Sequence, residues 1–284
     1  MNRIKLNDIL GLSESEIANS KIELNMQAGV GGEAYIDLWL CCDEMDKRNG
    51  TCPECGYWGW YGNQRNFRPG QWVFSFVRLR DDEWLFTSAA EIIEVPENTF
   101  AKVKIIDKYK PYFGRLVIQL VKGNTFARYT FNLSKYIEDS SIKTILPDLY
   151  GGEDFPGYDK VRLSYKQLET IIKYGKNDWI AALENQKAVY LLTDKTNGKM
   201  YVGSATSDYG MLLQRWRSYI ENGHGGNKEL VELVNMKGFD YIKVNFHYSI
   251  LENYNAKVDD LVILERESWW KEILQTRIFG YNKN

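Results

Sequence analysis

Two tyrosines, an arginine and a glutamate have the types and spacing to do chemistry together. Tyr190 lies in the apolar run 188–193 and Tyr201 in the run 200–204, with the polar stretch 194–199 between them. The pattern predicts a hairpin with one tyrosine on each arm. Arg215 and Tyr219 are four apart in the predicted helix 211–220, so they share a face, with Trp216 and Ile220 on the adjacent apolar one. A longer helix is predicted over 259–274, with an apolar stripe of Ile263, Leu264, Trp270 and Leu274. Glu267 falls on that stripe, while Glu265 and Arg266 fall where water can reach them. A buried carboxylate is costly unless it is paired or holds a cation, which leaves a divalent metal or an arginine as its partner. An arginine beside two tyrosines and a carboxylate suits a phosphate, because a guanidinium donates to two oxygens at once.

These side chains need a small antiparallel sheet flanked by helices. After the helix at 211–220 come the loop Gly223-His-Gly-Gly-Asn227, a further helix, a strand over 242–251, the long helix and the ending Gly280-Tyr-Asn282. The stretch 147–158 is rich in Gly, Pro and acid and reads as a linker. Short helices over 164–174 and 178–183 connect the halves or brace the second. The expected organisation is 1–146 as a β-rich DNA-recognition domain, 147–184 as linker and bracing helices, and 185–284 as the chemical domain. The fold class is α+β.

The first half reads mainly as strands. Segments 71–80 and 83–87 flank Asp81-Asp82, and segments 116–121 and 126–131 flank Lys122-Gly123-Asn124, both hairpin-like. Short strands with turns between them predict a barrel or curled sheet. A helix capped by Ser13 with Glu16 is predicted before them. Between residues 101 and 135, Lys102, Lys104, Lys108, Lys110, Arg115, Lys122, Arg128 and Lys135 oppose Asp107 alone, a net of +7. Such charge neutralises phosphates, and the interleaved Tyr109, Tyr112, Phe113, Phe126 and Tyr129 could pack on sugar or base. The alternative is a solvated face. Arg217, on the second half's helix, adds to the expected DNA contacts.

Cys52 and Cys55, spaced as half of a zinc knuckle, suggest a structural Zn²⁺ site, made either with Cys42 and a fourth ligand or with Cys41 and Cys42 together. The alternative is reduced loop cysteines, with Trp58, Trp60 and Tyr61 as a base-stacking surface. The net charge of −2 excludes a strongly basic whole-protein balance, so any nucleic-acid footprint is local. No long apolar run or leader is visible, which predicts a cytoplasmic protein without membrane contact.

The second half resembles the GIY-YIG nuclease family, named for two strand motifs. Here they read Ala188-Val189-Tyr190 and Tyr201-Val202-Gly203, with ten residues between the tyrosines. The family's helix arginine is matched by Arg215, its metal-binding glutamate by Glu267 and its closing asparagine by Asn282. Ala188 departs from the glycine that usually opens the first motif. The resemblance implies phosphodiester hydrolysis with Mg²⁺ or Mn²⁺ held by Glu267. Arg215 would clamp a phosphate oxygen, Tyr190 would act as general base and Tyr201 would position the water. Lys199 and Arg215 would assist the tyrosine, and Asn282 would orient Glu267 or the tyrosines. His224 is either a phosphate contact or a loop residue, and Tyr219 stands where a second aromatic or His often follows the arginine. The expected function is a metal-dependent DNA endonuclease acting in restriction or defence against foreign DNA, including modified DNA. It would work as a homodimer or by sequential nicks. Homing, repair and a non-catalytic DNA-binding protein on a nuclease scaffold are the alternatives. Retention of Tyr190, Arg215 and Glu267 weighs against the last.

Overall fold

The computed structural model describes residues 3–26, 34–52, 67–97, 100–122, 130–207 and 209–283. The chain divides into two units, Met1–Tyr150 and Gly151–Asn284. Its secondary structure is α+β.

The first unit runs α1 (Leu6–Leu10), α2 (Glu14–Ala18), β1 (Ser20–Asn25), α3 (Tyr35–Cys41), α4 (Glu44–Asn49), β2 (Trp72–Arg80), β3 (Glu83–Glu94), β4 (Lys102–Ile105), β5 (Leu116–Gln119), β6 (Thr130–Asn132) and β7 (Ser141–Ile145). α2 opens with the expected capping box: the Glu16 amide donates to Ser13 Oγ at 3.3 Å and the Ser13 amide to Glu16 Oε2 at 2.8 Å. β2 and β3 form the expected hairpin. Among the described residues the sheet is open, in the order β6-β1-β2-β3-β5-β7 with β4 added to β3. Strand alternation sends Phe74, Phe76 and Phe86 to one face and Val77 and Leu85 to the other, against Trp39 and Leu40 of α3. Burial on both faces accounts for the near-continuous apolar runs of β2 and β3. The turn and most of the second strand of the other expected hairpin lie outside the described residues. β5 pairs with β3 and β7, whereas β6 pairs with β1, a long-range choice that local turn chemistry does not reveal.

The second unit runs β8 (Arg162–Ser164), α5 (Tyr165–Tyr174), α6 (Asn177–Glu184), β9 (Gln186–Asp194), β10 (Met200–Ala205), α7 (Met211–Asn222), α8 (Lys228–Lys237), α9 (Phe239–Asn245), β11 (Phe246–Asn255), α10 (Asp260–Ile273) and α11 (Thr276–Phe279). The sheet order is β10-β9-β11-β8, so β10 is an edge strand. The strand expected from 242 starts only at Phe246; α9 takes the preceding residues and buries Ile242 as a helical side chain. β8, α5 and α6 come from the stretch expected to link and brace, and Leu168, Ile171, Trp179 and Leu183 are part of the same core as Tyr190 and Trp216. That core lies on one face of the sheet. The other face, with Val189 and Val202, packs on Ile263, Trp270 and Leu274 of α10.

Candidate active site

β9 and β10 pair so that Gly203 stands opposite Tyr190 and Tyr201 opposite Leu192. Period-two alternation therefore puts Tyr190, Tyr201 and Gly203 on one face. α7 crosses that face. Trp216 anchors the helix in the core, edge-on to the Tyr190 ring with centroids 6.3 Å apart. Arg215 and Tyr219, one turn apart, reach the same point. Arg215 Nε donates to the Tyr190 hydroxyl at 2.8 Å, Nη1 to the Gly225 carbonyl at 2.9 Å and Nη2 to the Tyr219 hydroxyl at 3.4 Å. The Tyr190 and Tyr219 hydroxyls lie 3.0 Å apart. The guanidinium is thus fixed by two phenols and one carbonyl.

Electrostatics separate the tyrosines. Burial first, and the neighbouring Tyr201 second, push the Tyr190 hydroxyl well above the ordinary tyrosine range, against the opposing pull of Arg215. Burial does the same to Tyr219. Tyr190, expected as the general base, is fully buried, and its hydroxyl accepts a hydrogen bond from Arg215. Tyr201 instead lines an open cleft.

That cleft, of about 600 Å³, is lined by Tyr201, Arg215, Gly225, Gly226, Asn227, Lys228, Glu229 and Lys283. Asn227 caps α8, its side-chain oxygen accepting from the Leu230 amide at 3.0 Å, so the positive end of that helix dipole borders the cleft. Lys283 pairs with Glu229 at 2.8 Å. Arg215 and Lys228 add further positive charge. The sequence reading missed Lys228 and Lys283. The Gly-Gly-Asn stretch before a helix was the available signal.

Glu267 occupies a different setting. Its side chain is 12% exposed; Oε1 pairs with Lys271 Nζ at 2.7 Å, and Oε2 accepts from Ser204 Oγ on β10. Ser204 alternates with Gly203, so Glu267 meets the edge strand on the face opposite the tyrosines. The predicted stripe needs one correction: Leu264 is exposed, and Lys271, one turn beyond Glu267, is buried in its place. α10 is further pinned by Arg266, which donates to Glu252 of β11 from Nε at 3.0 Å. Trp270 Nε1 also donates to Glu252, at 2.9 Å.

Three further expected site residues have these contacts. Asn282 bonds the backbone of β10. Fully buried, it donates to the Val202 carbonyl and accepts from the Val202 amide, both at 2.8 Å, docking the C-terminal segment on β10. Lys199 is exposed in the turn, its ammonium 5.7 Å from the Tyr281 ring centre rather than beside Tyr190. His224 Nδ1 accepts from the Gly226 amide at 3.0 Å and so shapes the glycine loop; it is not a lining residue of the cleft. A buried hub went unforeseen. Asp194 Oδ2 accepts from the Tyr241 and Tyr281 hydroxyls, both at 2.8 Å, and Oδ1 from the Thr196 hydroxyl at 2.7 Å. It holds the hairpin turn to α9 and the C-terminal segment.

In the first unit the +7 stretch is not a free patch. Lys102 pairs with Glu94 at 2.6 Å and Lys110 with Asp107 at 2.9 Å. Lys104 stands opposite Glu91 on the β3–β4 ladder. Arg115 donates to the Leu146 and Pro111 carbonyls at 2.8 and 3.1 Å, and Lys108 lies over Tyr109. Glu91 and Glu94 lie outside the counted window, and with both included the net charge is still +5. Arg217 is exposed on α7. Arg128, Phe126, Tyr129, Trp58, Trp60, Tyr61 and Cys55 lie outside the described residues. Cys42 and Cys52 form a disulfide with Cα atoms 5.9 Å apart. Cys55, which the expected zinc site needs, lies outside the described residues. No group of three or more His, Cys, Asp or Glu able to hold a metal ion occurs among the described residues.

A hairpin bearing Tyr190, Tyr201 and Gly203, the Arg215 helix and the Glu267 helix define a GIY-YIG catalytic domain. Residues 186–282 match that family's model, and this part of the chain belongs to the family. Among individual proteins, the chain is similar to intron-associated endonuclease 1 of Enterobacteria phage T4, 30% identical over 97 residues, 34% of this chain. The match spans only about a third (36%) of that relative's length. Two solved structures are similar. The catalytic domain of the homing endonuclease I-TevI is 32% identical, with 34% of this chain and 96% of that one covered and a TM-score of 0.26. A mutant of the same catalytic domain is 28% identical, with 35% and 94% covered and a TM-score of 0.28. No helix among the described residues is long and apolar enough to cross a membrane.

Proposed function

We propose that this chain is a divalent-metal-dependent DNA endonuclease. The observation that carries the reading is the Arg215 guanidinium, held by Tyr190, Tyr219 and the Gly225 carbonyl at the wall of a cleft that Lys228 and Lys283 also line. A guanidinium immobilised before the substrate arrives stabilises developing phosphate charge without reorganising during the reaction. Tyr190 and Tyr219 hold and orient Arg215. Tyr201, on the cleft wall, contacts the attacking water. Glu267 is a hard oxygen donor, partly open to solvent, and fits a Mg²⁺ or Mn²⁺ ion that keeps several waters and takes further oxygens from a substrate phosphate. Such an ion would supply Lewis-acid stabilisation of the leaving oxygen.

The first unit would choose the DNA, and restriction or defence against foreign DNA, modified DNA included, is the setting we favour. The intron-associated relative favours homing as the second reading. A single cutting centre per chain calls for a homodimer or two successive nicks to sever both strands. The test is to incubate the full chain with plasmid and with short duplexes, base-modified and unmodified, with Mg²⁺ or with chelator. Metal-dependent scission is expected, and sequenced ends would separate a long homing site from a short or modification-dependent one. Absence of scission on every substrate at saturating Mg²⁺ would end the endonuclease reading.

A further inference from the structure

Lys271 is buried, 6% exposed, with its ammonium 2.7 Å from Glu267 Oε1. Lysine is seldom fully buried without a partner. Here the partner is the carboxylate one helical turn earlier, and the geometry follows directly from the i,i+4 spacing on α10. Ser204 Oγ engages the second oxygen. Both Glu267 oxygens are therefore occupied, and its charge is neutralised, by groups of the chain itself. A divalent ion arriving at this carboxylate meets a resident cation. Two cations on one poorly solvated carboxylate repel each other strongly, so ion and lysine compete.

We propose that Lys271 is the resident counter-ion of Glu267 and sets its metal affinity. It keeps the carboxylate paired while no ion is bound, and a divalent ion binds by displacing the ammonium from Oε1. Metal binding to the protein alone is weak as a result, and oxygens supplied by DNA phosphate tip the exchange. The inference rests on Glu267 being the metal residue of the function proposed above.

The test measures binding, not cutting. Mn²⁺ is titrated calorimetrically into the full chain without DNA, for wild type, Lys271→Met, Lys271→Arg and Glu267→Gln. Lys271→Met keeps length and loses charge, and is expected to bind Mn²⁺ about tenfold tighter than wild type. Lys271→Arg keeps the competing charge and is expected to stay within about threefold of wild type. Equal or weaker binding by Lys271→Met overturns the proposal and leaves the endonuclease reading standing. Unchanged binding by Glu267→Gln overturns both the proposal and the metal assignment, so the two failures are distinguishable. Because Lys271→Met strips a buried carboxylate of its partner and can unfold the domain, wild type supplies an independent readout. Amine acylation mapped by mass spectrometry is expected to spare Lys271 without metal and to label it when Mn²⁺ is present. An unchanged labelling pattern contradicts the displacement.

Discussion

Gly203 faces Tyr190 across the β9–β10 ladder, and a Cβ placed on Gly203 would lie 2.5 Å from the Tyr190 hydroxyl oxygen. The phenol lies across its neighbouring strand to reach Arg215, and only a residue without a side chain leaves it room. The glycine of the second motif is thus a packing requirement of the arginine's support, not a turn device.

Gly203→Ala is accordingly expected to push the Tyr190 ring aside and free the guanidinium. A displacement of about 1 Å in a catalytic group costs on the order of 100-fold in rate. Single-turnover cleavage should fall by that order, with a Tm lower by several degrees in a thermal melt. Unaltered cleavage would show that Tyr190 does not position Arg215.

The raised Tyr190 hydroxyl makes a prediction about pH. A tyrosine acting as base would give a rate climbing about tenfold per pH unit below its pKa. Tyr190→Phe is expected to lower the rate through loss of the 2.8 Å bond to Arg215, with the shape of the pH–rate profile between pH 6 and about 9 preserved. Disappearance of a rising limb in the variant would assign the base to Tyr190.

Acid stability depends on two carboxylates. The Arg266 guanidinium holds Glu252 down to about 2, with burial opposing. For Asp194, burial alone would raise the carboxyl, but hydrogen bonds from Thr196, Tyr241 and Tyr281 hold it below the usual range. Both folded values lie below those of the unfolded chain. Their stabilisation is therefore complete only above about pH 5 and is lost progressively as pH falls through the depressed folded values. Asp194→Asn should remove part of this dependence, read as a shallower decline of Tm from pH 5 to about 3; an unchanged slope would mean that Asp194 carries none of it.

Asn282→Ala leaves the buried amide and carbonyl of Val202 without partners. Each unsatisfied buried group costs about 1–3 kcal/mol. Denaturant unfolding should register a loss of that size or larger, and a loss under about 0.5 kcal/mol would contradict the docking role.

The tyrosines, Arg215 and Glu267 were legible because each sits on an element with a strong local period: a two-residue alternation on the hairpin and a helical stripe on α7 and α10. Lys271 shares the Glu267 stripe at the same spacing, yet a lysine reads as solvent-facing until its carboxylate partner is known to be buried. Asp194 was hidden for the opposite reason, since an acid in a turn reads as exposed and its partners Tyr241 and Tyr281 are distant in sequence. In the first unit, the parallel β1–β2 pair and the β1–β6 pair join segments far apart in the chain, which neither periodicity nor turn chemistry encodes. Glu94, which pairs with Lys102, and Glu91, which stands opposite Lys104, lie just outside the basic stretch, so a count over the stretch alone does not register them.

The account stands most directly on one comparison: single-turnover DNA cleavage with Mg²⁺ by wild type, Glu267→Ala, Arg215→Ala and the double variant, with DNA binding measured on the same preparations. Groups acting in one centre are strongly non-additive. Each single variant is predicted to bind DNA and lose at least about 1,000-fold in cleavage, with the double variant little worse than the poorer single one. Cleavage at the wild-type rate by either single variant would contradict the assignment of this site as the centre that cuts.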